Sequence, residues 1–467
     1  MAQTSELYAS TRGEASGSDF TDVLLRGMAP DGGLYLPGAW PSLSPESWAA
    51  GLGYVAIATR AMAPFIGDAL PAGALHRALA RLTAGFEPAE VTPLRCLEDG
   101  LYMLELFHGP TAAFKDLAMQ LAAALSSEAL AASGERLTLV TATSGDTGAA
   151  AVAAFANADR VRLIVLHPHE RVSAVQRRQM TTVEAPNVLN LAVRGDFDDC
   201  QRLVKGLLAD ESLRDGGRFS SVNSINWARL AGQIPYYLSA VSQLAALGET
   251  RAPVFVVPTG NFGDAFAGIA ASRMGLPVAG FVAAVNRNDA LARAINDGVY
   301  SRKAAVETAS VSMDVQAPSN FERLVFEASG RDADLTRGLF ETFAREGSVT
   351  VPPALLDAIR AEVSAVAVSE DATREQIAHA YATWGQVVCP HTAVALSAAR
   401  GVNRSRGPVV ALSTAHPAKF GKDVAPVLGF NPAPPRVIRE LGDRAERFEL
   451  IDADAAAARA AVSGFSG

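Results

Sequence analysis

Between residues 137 and 417 the chain repeats one pattern: a short apolar run, a glycine-bearing turn, then an alanine-rich stretch with helical spacing. "LTLVTATSGDTGAAAVAAFANA" (137–158) and "PVFVVPTGNFGDAFAGIAASRMG" (253–275) carry all three parts, and "VRLIVLHP", "GFVAAV" and "GPVVALSTAHP" supply further apolar runs. Runs apolar on both faces suit strands covered by helices on each side. Strands alternating with helices predict an α/β fold with parallel-sheet domains and helices on both faces. In such folds ligands bind at the carboxyl ends of the strands.

Residues 1–95 have a different texture. "APDGGLYLP" is turn-rich, and residues 45–82 show helical apolar spacing. The expected organisation is an N-terminal domain over 1–95, a large domain over 96–128 and 231–430, a smaller mobile domain over 129–230, and a C-terminal tail over 431–467 ending in a short helix. Charge and cysteine usage narrow the class. A net charge of −8 argues against a nucleic-acid partner. Three dispersed cysteines, Cys96, Cys200 and Cys389, form no disulfide framework or zinc spacing, which fits a reducing compartment. The polar N-terminus lacks a signal-peptide stretch and no apolar run is long enough for a membrane span, so a cytoplasmic protein is expected. His167 and His169 lack a third ligand at metal spacing, so no metal site is expected.

Three strand ends carry candidate chemistry. In "PTGNFGD", Gly260, Asn261, Phe262, Gly263 and Asp264 form a loop that opens a helix, and glycines there let backbone N–H groups crowd around a phosphate. Asp264 should turn its side chain away from such an anion. The same stretch also reads as a helix-initiating turn with no ligand. "TATSGDTG" presents Thr143, Ser144, Gly145, Asp146 and Thr147, suited to a carboxylate or equally to an ordinary helix cap. "LSTAHPAKF" sets Ser413, Thr414, His416 and Lys419 at a third strand end, where a hydroxyl would meet a heteroaromatic nitrogen, or a polar loop would simply cover the sheet.

Lys115, in "FHGPTAAFKDLAMQ", begins a helix amid small and apolar residues. A surface lysine paired with Asp116 or Glu128 is one reading. The other rests on the helix-end potential and apolar packing, which both lower a lysine pKa and leave a free amine near neutral pH. A free amine is what Schiff-base chemistry with an aldehyde needs, and an aldehyde carrying a phosphate needs an anion cradle as well. Pyridoxal phosphate meets both requirements.

Nine segments, "STRG", "APDGGLYLP", "FHGPTAAFKD", "TATSGDTG", "QRRQM", "NSINWAR", "PTGNFGD", "NRND" and "STAHPAKF", occur in order between residues 10 and 420. In this the chain resembles the threonine synthase family, in its long-chain bacterial and fungal branch. The resemblance implies fold type II (tryptophan synthase β-like), pyridoxal 5'-phosphate as cofactor, and conversion of O-phospho-L-homoserine and water to L-threonine and phosphate. It implies Lys115 as the residue bonded to the cofactor and Gly260, Asn261, Phe262, Gly263 and Asp264 as the cofactor-phosphate loop. Thr414 would face the pyridine nitrogen, and residues 143–147 would receive the substrate carboxylate. Ser224, Asn226 and Arg229 would hold the substrate phosphate, a task that suits an arginine's fork of donors. The protein is then expected to be a monomer or homodimer acting on a small molecule, with no effector site in an N-terminal extension.

Two segments depart from the family pattern: Cys389 replaces an expected aspartate, and Ala112 and Ala113 stand where a bulkier residue is common. The rival readings are a phospho-lyase of the same fold that yields 2-oxobutyrate, and a non-catalytic relative that senses its ligand.

Overall fold

The apolar runs become the strands of two sheets in the structure, a computed structural model that describes residues 8–13, 17–213 and 217–465. The larger sheet has six strands in the order Val363–Ala367, Gly280–Val285, Val254–Pro258, Val409–Ser413, Leu101–Glu105 and Leu94–Glu98. All neighbours run parallel except Leu94–Glu98, an antiparallel edge. The smaller sheet is parallel throughout, in the order Glu449–Asp452, Val188–Arg194, Val161–Pro168, Leu137–Ala142 and Arg218–Ser220. Its Leu137–Ala142 strand and the central Val409–Ser413 strand are buried at every position, as strands with helices on both faces must be.

Helices follow strands as the pattern implied. Asp146–Phe155 follows Leu137–Ala142, and Gly263–Arg273 follows Val254–Pro258. Lys115–Ser133 passes straight through the domain boundary expected at 128. The N-terminal region pairs Tyr8–Ser10 with Tyr35–Pro37. Its helices Tyr54–Ile66 and Ala74–Ala84 pack on Ile234–Ala246 and Lys115–Ser133, so it is part of the wall around the larger sheet.

One expectation needs correcting. The segment 431–467 is more than a tail. Glu449–Asp452 is the edge strand of the smaller sheet beside Val188–Arg194, and Ala455–Gly464 packs on the helix Phe197–Ala209. The strand escaped notice because it is only four residues long and mostly exposed, with Leu450 and Ile451 too short an apolar run to mark a strand. Among the described residues no helix is long and apolar enough to cross a membrane.

Close helix–sheet contact fixes where the strand ends point. A Cβ on Gly268 would lie 2.5 Å from Phe281 Cε1 and 2.8 Å from Tyr237 Cε1. Gly268→Ala should therefore destabilise the fold by about 1–2 kcal/mol, overpacking outweighing the gain in helix propensity. Urea unfolding measures this, and an unchanged or stabilised variant would contradict the packing described.

Candidate active site

Lys115 is the first residue of its helix, as expected. The loop before it is tied to the loop after the Val409–Ser413 strand. Phe114 N donates to Thr414 O at 2.8 Å, His416 N to Ala112 O at 3.1 Å, and Lys419 Nζ to Thr111 O at 2.7 Å. Ala112 has a left-handed backbone (φ 56°), and both Ala112 and Ala113 are fully buried, which fits small side chains in this tight join. Asp116 accepts from Thr111 N and Thr111 Oγ1 at 2.8 and 2.6 Å, and Glu128 pairs with Arg77. Neither serves as partner to Lys115. The Lys115 amine instead lies 3.8 Å from Asp146 Oδ2, with its side chain 14% exposed. Burial lowers its pKa from 10.5 to about 8; Asp146 pulls it up, while Arg229 and Lys419 push it down.

The Gly260–Asp264 loop has the build of an anion cradle. Gly260 admits no side chain, since its Cβ would sit 2.6 Å from Ser312 O. Phe262 takes a left-handed conformation (φ 62°) that turns the chain into the Gly263–Arg273 helix. Among the described residues nothing accepts a hydrogen bond from the N–H groups of Gly260, Asn261 or Phe262. Free donors at the start of a long helix suit a phosphate. Asp264 does turn away. Its Oδ1 accepts from the hydroxyls of Tyr236 and Tyr237, the latter at 2.8 Å, and burial raises its pKa to about 6 against those two bonds. An amine poised to lose its proton and an unfilled row of N–H donors together fit an aldehyde bearing a phosphate.

The loop after Leu137–Ala142 is shaped by Thr143, whose hydroxyl accepts from Gly145 N at 3.0 Å and Gly148 N at 2.8 Å. Gly145 has φ 144°, and a Cβ there would strike Gln176. Ser144 on this loop and Thr147 in the first turn of the helix that follows are partly exposed. The Asp146 side chain is an internal charge that meets Lys419, Lys115 and Gln176. Burial alone would raise its pKa, but the two ammonium groups outweigh burial and hold it well below the usual carboxylate range.

The segment 222–229 is mixed. Arg229 is buried, its Nη1 donates to Val222 O, and its Nε finds no partner among the described residues. Burial lowers its pKa to about 10. The Ser224 carbonyl accepts from Asn320 Nδ2 at 3.2 Å, and the same amide group reaches Asn261 O at 3.1 Å, which sets Ser224 beside the phosphate cradle. Asn226 is tied into the fold: its Oδ1 accepts from Ala228 N and its Nδ2 donates to Leu24 O, so each end of its amide makes a structural bond.

Sequence reasoning passed over several contributors. Arg323, fully buried, donates to Tyr35 O, Ile225 O and Asn320 Oδ1, and so joins the N-terminal region, segment 222–229 and the cradle. His391 Nε2 accepts from Ser312 N at 3.1 Å, and burial lowers its pKa to about 4. Cys389 caps its helix by accepting from Thr392 N at 3.5 Å, a position where an aspartate would serve the same purpose. Arg323, Asn320 and His391 reach the site from distant parts of the chain, and no local spacing announces them.

The family described as pyridoxal-phosphate dependent enzyme matches residues 85–414. A likeness of fold alone, at 14% identity and TM-score 0.50, extends to a pyridoxal 5'-phosphate-dependent aspartate racemase. Fold and site thus define a fold type II pyridoxal-phosphate-dependent enzyme. The descriptions "Threonine synthase N terminus" and "Threonine synthase, C-terminal" match residues 7–82 and 392–462. Threonine synthase of Pseudomonas aeruginosa is 43% identical over 461 residues, 98% of each chain. The structure of pyridoxal-phosphate-bound threonine synthase from Brucella melitensis superposes with TM-score 0.94 at 43% identity, covering 99% of this chain and 100% of that one. The yeast threonine synthase structure gives 0.92 at 32% identity, over 98% of each chain. The chain belongs to the threonine synthase family.

The lowered Lys115 pKa has a kinetic signature. Only the free amine attacks an aldehyde, so covalent capture of pyridoxal phosphate by cofactor-stripped protein should rise about tenfold per pH unit below 8 and level off above it. A rise continuing to pH 10 would show that Lys115 titrates as an ordinary lysine.

Proposed function

We propose that this protein converts O-phospho-L-homoserine and water into L-threonine and phosphate, in the cytoplasm, as a monomer or homodimer. The bound cofactor supplies an electron sink that stabilises negative charge on the substrate carbons. The chain supplies binding, orientation and proton transfer. Lys115 would bond to the cofactor, and its amine, when free, would serve as the base for the proton on the substrate Cα. The N–H groups of Gly260, Asn261, Phe262 and Gly263, with that of Asp264, hold the cofactor phosphate. The Thr414 hydroxyl would face the ring nitrogen.

Ser144, Gly145 and Thr147 receive the substrate carboxylate through hydroxyl and N–H groups, on the loop that Thr143 shapes. Asp146 contributes its N–H there, since its carboxylate faces the lysines. Arg229 and Ser224 bind the substrate phosphate. Closure of the region 129–230 over the site would exclude water until it is added.

The observation that carries this reading is Arg229. A guanidinium buried with a free Nε and no carboxylate partner among the described residues is stabilised when an anion joins it. The Gly260–Asp264 cradle already provides for the cofactor phosphate, so the arginine implies a second anion. An enzyme acting on an unphosphorylated amino acid has no need of one.

Lys115→Ala should abolish turnover and the covalent cofactor, read by absorbance and by mass after borohydride reduction; threonine formation at a normal rate would remove Lys115 from its role. Arg229→Gln should weaken phosphohomoserine binding by about 2 kcal/mol or more, roughly 30-fold in KM. An unchanged KM would reject the second anion site.

A further inference from the structure

Two lysines converge on one carboxylate. Lys419 Nζ lies 2.7 Å from Asp146 Oδ1, and Lys115 Nζ lies 3.8 Å from Oδ2. The Lys419 side chain is 0% exposed and that of Asp146 only 3%. Gln176 Nε2 also donates to Oδ1, at 2.8 Å, and Ser312 Oγ donates to Oδ2 at 3.4 Å. The near oxygen is thus engaged by Lys419 and Gln176, while the oxygen facing Lys115 stays beyond close hydrogen-bond range. Lys419 is anchored for this. Its amine also donates to Thr111 O, on the loop that leads into Lys115, and its short helix follows the loop that carries Thr414.

A buried carboxylate beside a single lysine holds that lysine's proton, because each charge stabilises the other. Here a second lysine competes for the carboxylate at shorter distance. We propose that Lys419 is a positioning residue: by taking Asp146 into its own ion pair it releases the Lys115 amine to bond with an aldehyde. It acts chiefly through Asp146, beyond its own like-charge repulsion of Lys115, and does not itself touch the reacting atoms. The groups facing Lys115 are Asp146 and Lys419, Arg229 from Trp227–Ala231, Asp116 on its own helix, and His391 from Pro390–Ala399. Of the two carboxylates among them, Asp116 is occupied by Thr111, which leaves Asp146 as the group able to retain the proton.

The inference rests on Lys115 being the cofactor-bonding lysine. Its test reads the amine itself, so its failure would leave the substrate assignment standing. Trace acetylation of Lys115 by acetic anhydride is followed against pH in the full-length chain freed of cofactor, with the Lys115 peptide quantified by mass spectrometry. The wild-type midpoint is expected at about 8. Lys419→Met should raise it by about one unit, a tenfold loss of free amine at pH values below the midpoint. Asp146→Asn should lower it, and Lys419→Arg should keep it within about half a unit of wild type.

In the Asp146→Asn background the rise caused by Lys419→Met should shrink to less than half. A full rise there would mean that Lys419 acts on Lys115 directly, and no rise in the single variant would mean that it does not act at all; either result overturns the proposal. If Lys419→Met fails to fold by circular dichroism, Lys419→Gln, which keeps a donor for the Thr111 carbonyl, is read in the same way.

Discussion

Lys115 stands where a helix N-terminus and an apolar surround both disfavour an ammonium ion, and most of the site is arranged around keeping its amine there. The chain holds it by joining two neighbouring strand ends. The loop leading to Lys115 follows the Leu101–Glu105 strand, the loop bearing Thr414 follows Val409–Ser413, and backbone bonds from Phe114 and His416 tie one to the other. Burial then lowers the affinity of the amine for a proton. Asp146 limits how far that affinity falls.

The same economy of charge shapes the rest of the cleft. Asp264 is near the cradle but turns from it to two tyrosine hydroxyls, which leaves the N–H groups as the face presented to a phosphate. Arg323 and Arg229 are cations taken out of water with backbone carbonyls and an amide as hydrogen-bond partners, so each contributes positive potential to an interior that two phosphates would occupy. Arg323 also connects the N-terminal strand pair to segment 222–229 and the cradle. This gives the N-terminal region a part in holding the site.

The α/β class and the three strand-end loops were legible because parallel strands buried on both faces must be written as apolar runs, and turns with close backbone approach must be written with glycine. Lys115 was legible as a charge out of place. The strand Glu449–Asp452 was not, because its exposed position relaxes the pattern that marks a strand. Nor was the Asp146–Lys419 pair: "TATSGDTG" and "STAHPAKF" were each conspicuous, but nothing in either indicates that one side chain faces the other across two sheets. Asn226 shows a second job that a motif does not announce: its amide also caps a helix. Local rules find backbone devices; long-range pairing of side chains appears only once the topology is in place.

The most direct test of the account is product stoichiometry. Purified protein is loaded with pyridoxal phosphate and given O-phospho-L-homoserine, and phosphate, threonine and 2-oxobutyrate are quantified together. The account predicts one threonine for each phosphate released, with 2-oxobutyrate negligible. Phosphate matched by 2-oxobutyrate would contradict it, because the site would then eliminate phosphate without adding water.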